Sequence, residues 1–171
     1  MLDFKATVLT EHGIQPRCNV SRLGSDLTER WADALDEADF DPDAATVWIA
    51  EGLLPYLSED AQTALIESVD SLSGINSELA FDQIGGGDVR DLSERSGLDM
   101  ESLLLTTTGH NRVTAALTAR GWDSQATATD GLAERYGRDL SDPFADPAPS
   151  AAAPPWLETN FITAQKGAPA C

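Results

Sequence analysis

Basic residues are scarce in this chain. Eleven lysines and arginines stand against 29 acids, and the formal charge is −18. Lys5 and Lys166 are the only lysines, and no basic cluster exists. An acidic surface repels phosphate backbones and anionic lipid, so nucleic acid and membranes make poor partners. The acidity itself reads as a solvated surface, with adaptation to high salt as the lesser alternative. Cysteine is nearly absent. Cys18 and Cys171 lack CxxC spacing and give neither a metal site nor a disulfide framework. The two histidines, His12 and His110, lie far apart and have no Ser or Cys in triad order. Catalysis needs a constellation, so surface or capping roles suit them better. No apolar run approaches the roughly 20 residues that span a bilayer. The stretch Met1-Leu2-Asp3-Phe4-Lys5 lacks the charged-then-apolar layout of a signal peptide. These absences together lead to the expectation of a cytoplasmic protein.

What is present suits one packed domain over residues 1–171, with 42% hydrophobic residues. Leu2 to His12 spaces Phe4, Val8 and Leu9 as a helix that stops at Gly13. Cys18 to Leu23 alternates as a short strand. Thr28 to Ala38 reads as a helix with Trp31, Leu35 and Ala38 on one face. Asp41-Pro42-Asp43 breaks the chain. Ala45 to Ala50 is the most apolar short run and predicts a strand buried on both faces of a parallel sheet.

Ser58-Glu59-Asp60 predicts a helix start, with Ser58 as N-cap and two acids in the first turn. Ala64, Leu65, Val69 and Leu72 form its stripe. Ser77 to Asp82 predicts a strand, closed by Gly85-Gly86-Gly87. Those glycines do not match GxGxxG and read as a flexible loop, not a phosphate cradle. Asp88 to Leu105 reads as irregular helix, Asn111 to Arg120 as helix stopped by Gly121, and Trp122 to Thr129 as strand. Gly131 to Tyr136 reads as a short helix and Thr159 to Ala164 as the last strand. Residues 142–157, rich in Pro and Ala, read as a surface loop. Alternating strands and helices predict an α/β fold with a parallel sheet. Ligands gather at the carboxyl ends of such strands. That rule selects Ser25-Asp26-Leu27 and Glu51-Gly52-Leu53.

The run WIAEGLLPYL at Trp48 to Leu57, followed by SEDAQTALIESVDSL, resembles the motif after strand four of the leucine carboxyl methyltransferase-like family, actinobacterial members included. LDFKATVLTEHGIQP, SDLTERWADALDEADFDP, ALTARGW and NFITAQK agree with it in order and spacing. The resemblance covers nearly the whole chain. It implies methyl transfer from S-adenosyl-L-methionine to an oxygen or other nucleophile of a small-molecule or carboxylate acceptor, with no metal. It also implies site residues. Asp26-Leu27 matches the family's pair at the adenine end of the cofactor, where a carboxylate can accept from the exocyclic amine. The plainer role of Asp26 is to cap the helix after it. Glu51 matches the glutamate beside the methionine part, where it can pair with an ammonium or sulfonium charge. Gly52 would allow close backbone approach, or make the turn. Tyr56 is near enough to border the substrate pocket, although an aromatic beside Leu53, Leu54 and Leu57 is more often core.

The chain also departs from the family pattern. The resemblance implies a partial Rossmann-like class I sheet with strands three to seven present and the first two strands missing. The glycine-rich GxGxDxR-type loop and the ribose-binding acid of full-length relatives are not found before Cys18. An N-terminally truncated member is the expectation, through a misassigned start or a decayed gene. In the family's strand order 3-2-1-4-5-7-6, strand four would then become an edge, and self-association through exposed sheet edges is a way to cover it. A non-catalytic remnant or interaction protein is the rival reading. A nucleotide-dependent oxidoreductase would need an early glycine-rich turn that is not seen.

Overall fold

The computed structural model describes residues 2–83, 90, 93–94, 97–105, 110–139 and 159–168. The loop expected at 142–157 and the run Gly85-Gly86-Gly87 lie outside the described residues. The chain divides into two compact units, Met1–Asp41 and Pro42–Cys171.

The first unit holds helix α1 (Leu2–Glu11) and the single turn α2 (Asp33–Asp36). None of its described side chains is buried, and Phe4 is 74% exposed. The apolar spacing of α1 is helical as expected, but its stripe is only partly covered: Val8 and Leu9 are half-buried and Phe4 is exposed. Two expectations are corrected here. No strand forms at Cys18–Leu23, so strand three is not among the strands observed. A strand needs a neighbour for its N–H and C=O groups, and alternation alone supplies none. The helix expected over Thr28–Ala38 contracts to α2. Asp36, Glu37 and Asp39 crowd its carboxyl end, with no basic residue in the last turn, against the helix dipole. Its intended face survives: Trp31, Leu35 and Ala38 are half-buried.

The second unit contains β1 (Val47–Ala50), a 3-10 turn (Leu54–Tyr56), α3 (Glu59–Ser71), β2 (Glu78–Gln83) and α4 (Met100–Leu103). It continues with α5 (His110–Ala119), β3 (Trp122–Ala128), α6 (Thr129–Tyr136) and β4 (Asn160–Lys166). The sheet order is β1-β2-β4-β3. β1 and β2 are parallel, with Ala50 opposite Phe81. β4 runs antiparallel to both neighbours, so the sheet is mixed where a parallel one was expected. The last strand lies between its two neighbours, as 4-5-7-6 in the family's order requires.

Helix α3 starts where the sequence predicts. The Ser58 hydroxyl oxygen accepts from Ala61 N–H at 3.3 Å, and Glu59 and Asp60 favour the positive end of the dipole. Its Leu65, Ile66 and Val69 pack beneath the sheet with Val113 and Leu117 of α5. From the strands come Leu79, Phe81, Trp122, Ile162 and Ala164, all buried. Each large aliphatic or aromatic side chain among them contributes roughly 1.5–3 kcal/mol by leaving water.

The other face of β1 is different. Trp48 turns toward α3 and donates its Nε1–H to Ser73 Oγ at 2.9 Å. With a period of two, Val47 and Ile49 must then point the opposite way. They are 67% and 68% exposed. The expectation of a strand buried on both faces is therefore corrected: only one face of β1 is covered. The strand is also an edge, as the resemblance implied.

A tight polar cluster closes the amino end of the parallel pair. Asp70 Oδ1 accepts from Trp122 Nε1–H at 2.9 Å and pairs with Lys166 Nζ at 2.9 Å. Lys166 also donates to the Asp70 carbonyl at 2.7 Å. Nearby, an added Cβ on Gly74 would lie 2.1 Å from the Asp43 carbonyl oxygen. Only glycine permits that approach, which brings the chain into β1.

Candidate functional site

The carboxyl ends of β1 and β2 form the rim that the ligand rule for open sheets selects. β1 ends at Ala50, and Glu51 follows as an exposed residue. Among the described residues the Glu51 carboxylate has no hydrogen-bond or ion-pair partner. Gly52 adopts φ +58°, a left-handed conformation that strains any side chain. An added Cβ there would meet nothing within 4 Å, so the turn and not crowding demands the glycine. Its N–H donates to Asp82 Oδ1 at 2.6 Å, reaching across from β2.

The following loop is held from below. Leu54, Pro55 and Leu57 are buried. Gln62 of α3, itself buried, donates its Nε2–H groups to the carbonyls of Leu54 at 2.8 Å and Leu57 at 3.3 Å. Leu105 N–H donates to the Pro55 carbonyl at 2.8 Å. Tyr56 stands out of this anchored loop and is 44% exposed. It is not a core aromatic, which removes the plainer of its two readings.

In the first unit, Asp26 and Leu27 lie in a turn. Asp26 Oδ1 accepts from Thr28 N–H at 2.9 Å and from the Thr28 hydroxyl at 2.7 Å. The backbone bond from Thr28 first, and its hydroxyl second, hold the Asp26 carboxyl below the ordinary carboxylate value. These bonds close a local turn and cap no helix, since the next helix begins only at Asp33, and Thr28 engages only one oxygen of the carboxylate. Leu27 is half-buried. His12, expected in a surface or capping role, is exposed and places Nδ1 2.8 Å from the Val8 carbonyl at the end of α1.

Sequence reasoning missed Asp82. An acid next to the carboxyl end of the strand, just after the apolar Leu79-Ala80-Phe81, was the available signal. It also missed Gln62, which only the buried loop carbonyls reveal. An open groove of about 370 Å³ crosses the sheet, lined by Glu78, Ala80, Asp123, Gln125, Thr163 and Gln165 among others. None of the candidate residues lines it, so it is not taken as the site. Among the described residues, no group of three or more His, Cys, Asp or Glu could hold a metal ion. No helix of the described residues is long and apolar enough to cross a membrane.

The family model for leucine carboxyl methyltransferase matches residues 1–70, which include Asp26, Leu27, Glu51, Gly52 and Tyr56. A Mycolicibacterium gilvum protein provisionally named as an S-adenosyl-L-methionine-dependent methyltransferase is 39% identical over 148 residues, covering 80% of this chain and 49% of its own. A Mycobacterium avium protein of the same provisional name is 33% identical over 98% of this chain and 57% of its own. The chain thus spans about half the length of the relatives it matches. Among solved structures, an O-methyltransferase family protein from Burkholderia thailandensis aligns with TM-score 0.55 at 10% identity, over 98% of this chain and 41% of that one. A SAM-dependent methyltransferase from Archaeoglobus fulgidus aligns with TM-score 0.54 at 10% identity, over 95% and 80%. At that identity the likeness is one of fold, a Rossmann-like α/β sheet. By sequence the chain is similar to leucine carboxyl methyltransferase over residues 1–70 and to provisionally named S-adenosyl-L-methionine-dependent methyltransferases over about half of their length, and by fold it resembles solved methyltransferases.

Proposed function

We propose that the chain is part of an enzyme that binds S-adenosyl-L-methionine and transfers its methyl group to a small-molecule acceptor, a carboxylate being the class the family suggests. The observation that carries this reading is the Glu51-Gly52 turn at the carboxyl rim of β1 and β2. Each unit, taken by itself, offers groups of the kind that cofactor needs. Asp26 can accept from the adenine amine through the oxygen Thr28 leaves free, and the Leu27 N–H can serve a ring nitrogen. Glu51 can pair with the ammonium or sulfonium charge. Gly52 makes the turn that keeps the backbone close.

When bound, the cofactor supplies a methyl group activated by its sulfonium. The chain's own residues bind and orient. In such a displacement most of the acceleration comes from proximity and alignment, and no acid or base need sit on this rim. Tyr56, exposed on its anchored loop, borders the acceptor's side in this reading. Both compact units belong to one methyltransferase domain, and a cytoplasmic setting goes with it. Self-association through the free edge of β1 belongs to the same reading, supported by the exposure of Val47 and Ile49.

Calorimetric titration of the chain with S-adenosyl-L-methionine tests the proposal. Micromolar affinity is expected, weakened about tenfold in Glu51→Gln by loss of one charge-assisted contact. No binding at millimolar ligand would leave the rival reading, a non-catalytic remnant or interaction protein. The absence of any buried side chain among the described residues of Met1–Asp41 is the observation that favours that rival.

A further inference from the structure

β1 and β2 stay in register up to Ala50 opposite Phe81. One step further, the backbone of β1 leaves the ladder. A parallel neighbour would ordinarily offer a carbonyl to the next N–H. Here the Gly52 N–H is taken instead by the Asp82 carboxylate, 30 residues away, at 2.6 Å. The acceptor is charged, so the bond is of the stronger class. It is made to the one residue of the rim whose left-handed conformation needs holding.

This bond leaves Gly52 with no N–H for a ligand, so its part is the turn and the approach of its backbone. It also bears on Glu51, which has no partner of its own among the described residues and is joined directly to the residue that Asp82 holds. Asp82 sits on the less buried side of β2, opposite Leu79 and Phe81, so it does not belong to the hydrophobic layer.

We propose that Asp82 is the positioning residue of this site: by taking the Gly52 N–H it fixes the Glu51-Gly52 turn and aims Glu51 at the cofactor. The proposal rests on the cofactor-binding reading above and adds a residue to it.

The test uses the full chain, Asp82→Ala, Asp82→Asn and Gly52→Ala. Two quantities are read: S-adenosyl-L-methionine affinity by calorimetry, and exchange of the Gly52 amide hydrogen by NMR. Asp82→Ala is expected to lose about tenfold in affinity or more and to speed Gly52 exchange by a similar factor. Asp82→Asn keeps an acceptor oxygen without its charge and should fall between. Gly52→Ala strains the turn at the residue itself and should also lose affinity, while Asp82→Asn, close to the parent in shape, decides the matter should Asp82→Ala fail to fold. Wild-type affinity in Asp82→Ala, or unchanged Gly52 exchange, would overturn the positioning role alone. A wild-type chain that binds no cofactor while Gly52 exchange responds to Asp82→Ala would overturn the function and, with it, the aim of Glu51, while leaving the hydrogen bond intact.

Discussion

The two ends of the sheet in the second unit are built on opposite plans. At the amino end of β1 and β2, polar groups are consumed by one another. Asp70 serves Trp122 and Lys166, Lys166 lies 6.0 Å from the Trp122 ring centre, and Ser77 Oγ both accepts from Thr46 N–H and donates to the Gly74 carbonyl. At the carboxyl end, one bond from Asp82 holds the turn, and Glu51 and Tyr56 face outward. Satisfied polar clusters rigidify; unsatisfied exposed ones are available to a ligand. The first end secures the fold and the second leaves chemistry free, which is the division of labour expected of open α/β sheets.

Single substitutions put that contrast at risk. The largest effect is expected at the amino end. Trp122→Ala empties a buried ring site and should cost about 3–5 kcal/mol in urea unfolding. A loss under about 1 kcal/mol would mean that this end is not the anchor. Next comes Asp70. Partial burial alone would raise its carboxyl, but hydrogen bonds from Trp122 and Lys166, and the charges of Lys166 and Arg120, outweigh it and hold the group below its ordinary value. A depressed carboxylate stabilises the fold above its unfolded pKa of about 3.9 and loses that contribution as pH falls through the lower, folded value. Asp70→Asn should therefore be less stable than the parent at neutral pH by about 1–2 kcal/mol. The two proteins should converge as the solution is acidified below about pH 4. A constant gap across that range would contradict the charge-based account. The smallest stability effect is expected at the carboxyl end: Glu51→Gln should stay within about 0.5 kcal/mol of the parent. A larger loss would make Glu51 a structural acid and erase the distinction between the ends.

Much of the second unit is legible in the sequence because its signals are local. Ser58 caps α3, Gly121 comes just after α5, and alternation over Glu78–Gln83 matches its burial. Orientation and coverage are not legible, since both depend on neighbours. Nothing in Asn160–Lys166 says that it runs against β2, and the apolar run at Val47–Ala50 cannot report that one of its faces is uncovered. The same holds for Cys18–Leu23, whose alternation fits a strand that has no partner to pair with. At the site, Glu51 and Gly52 came from the family motif and the strand-end rule. Asp82 did not, because a hydrogen bond between residues 30 apart leaves no local trace.

The Trp122 side chain has a practical reach beyond stability. Its indole is sealed from water, with its N–H committed to a carboxylate, at the end of the sheet away from Glu51. In a variant that keeps Trp122 and replaces Trp31, Trp48 and Trp156, its fluorescence should therefore register loss of the fold and stay silent to events at the opposite rim. Denaturation can then be followed optically with ligand present, so that linkage between binding and folding is measured on a single sample.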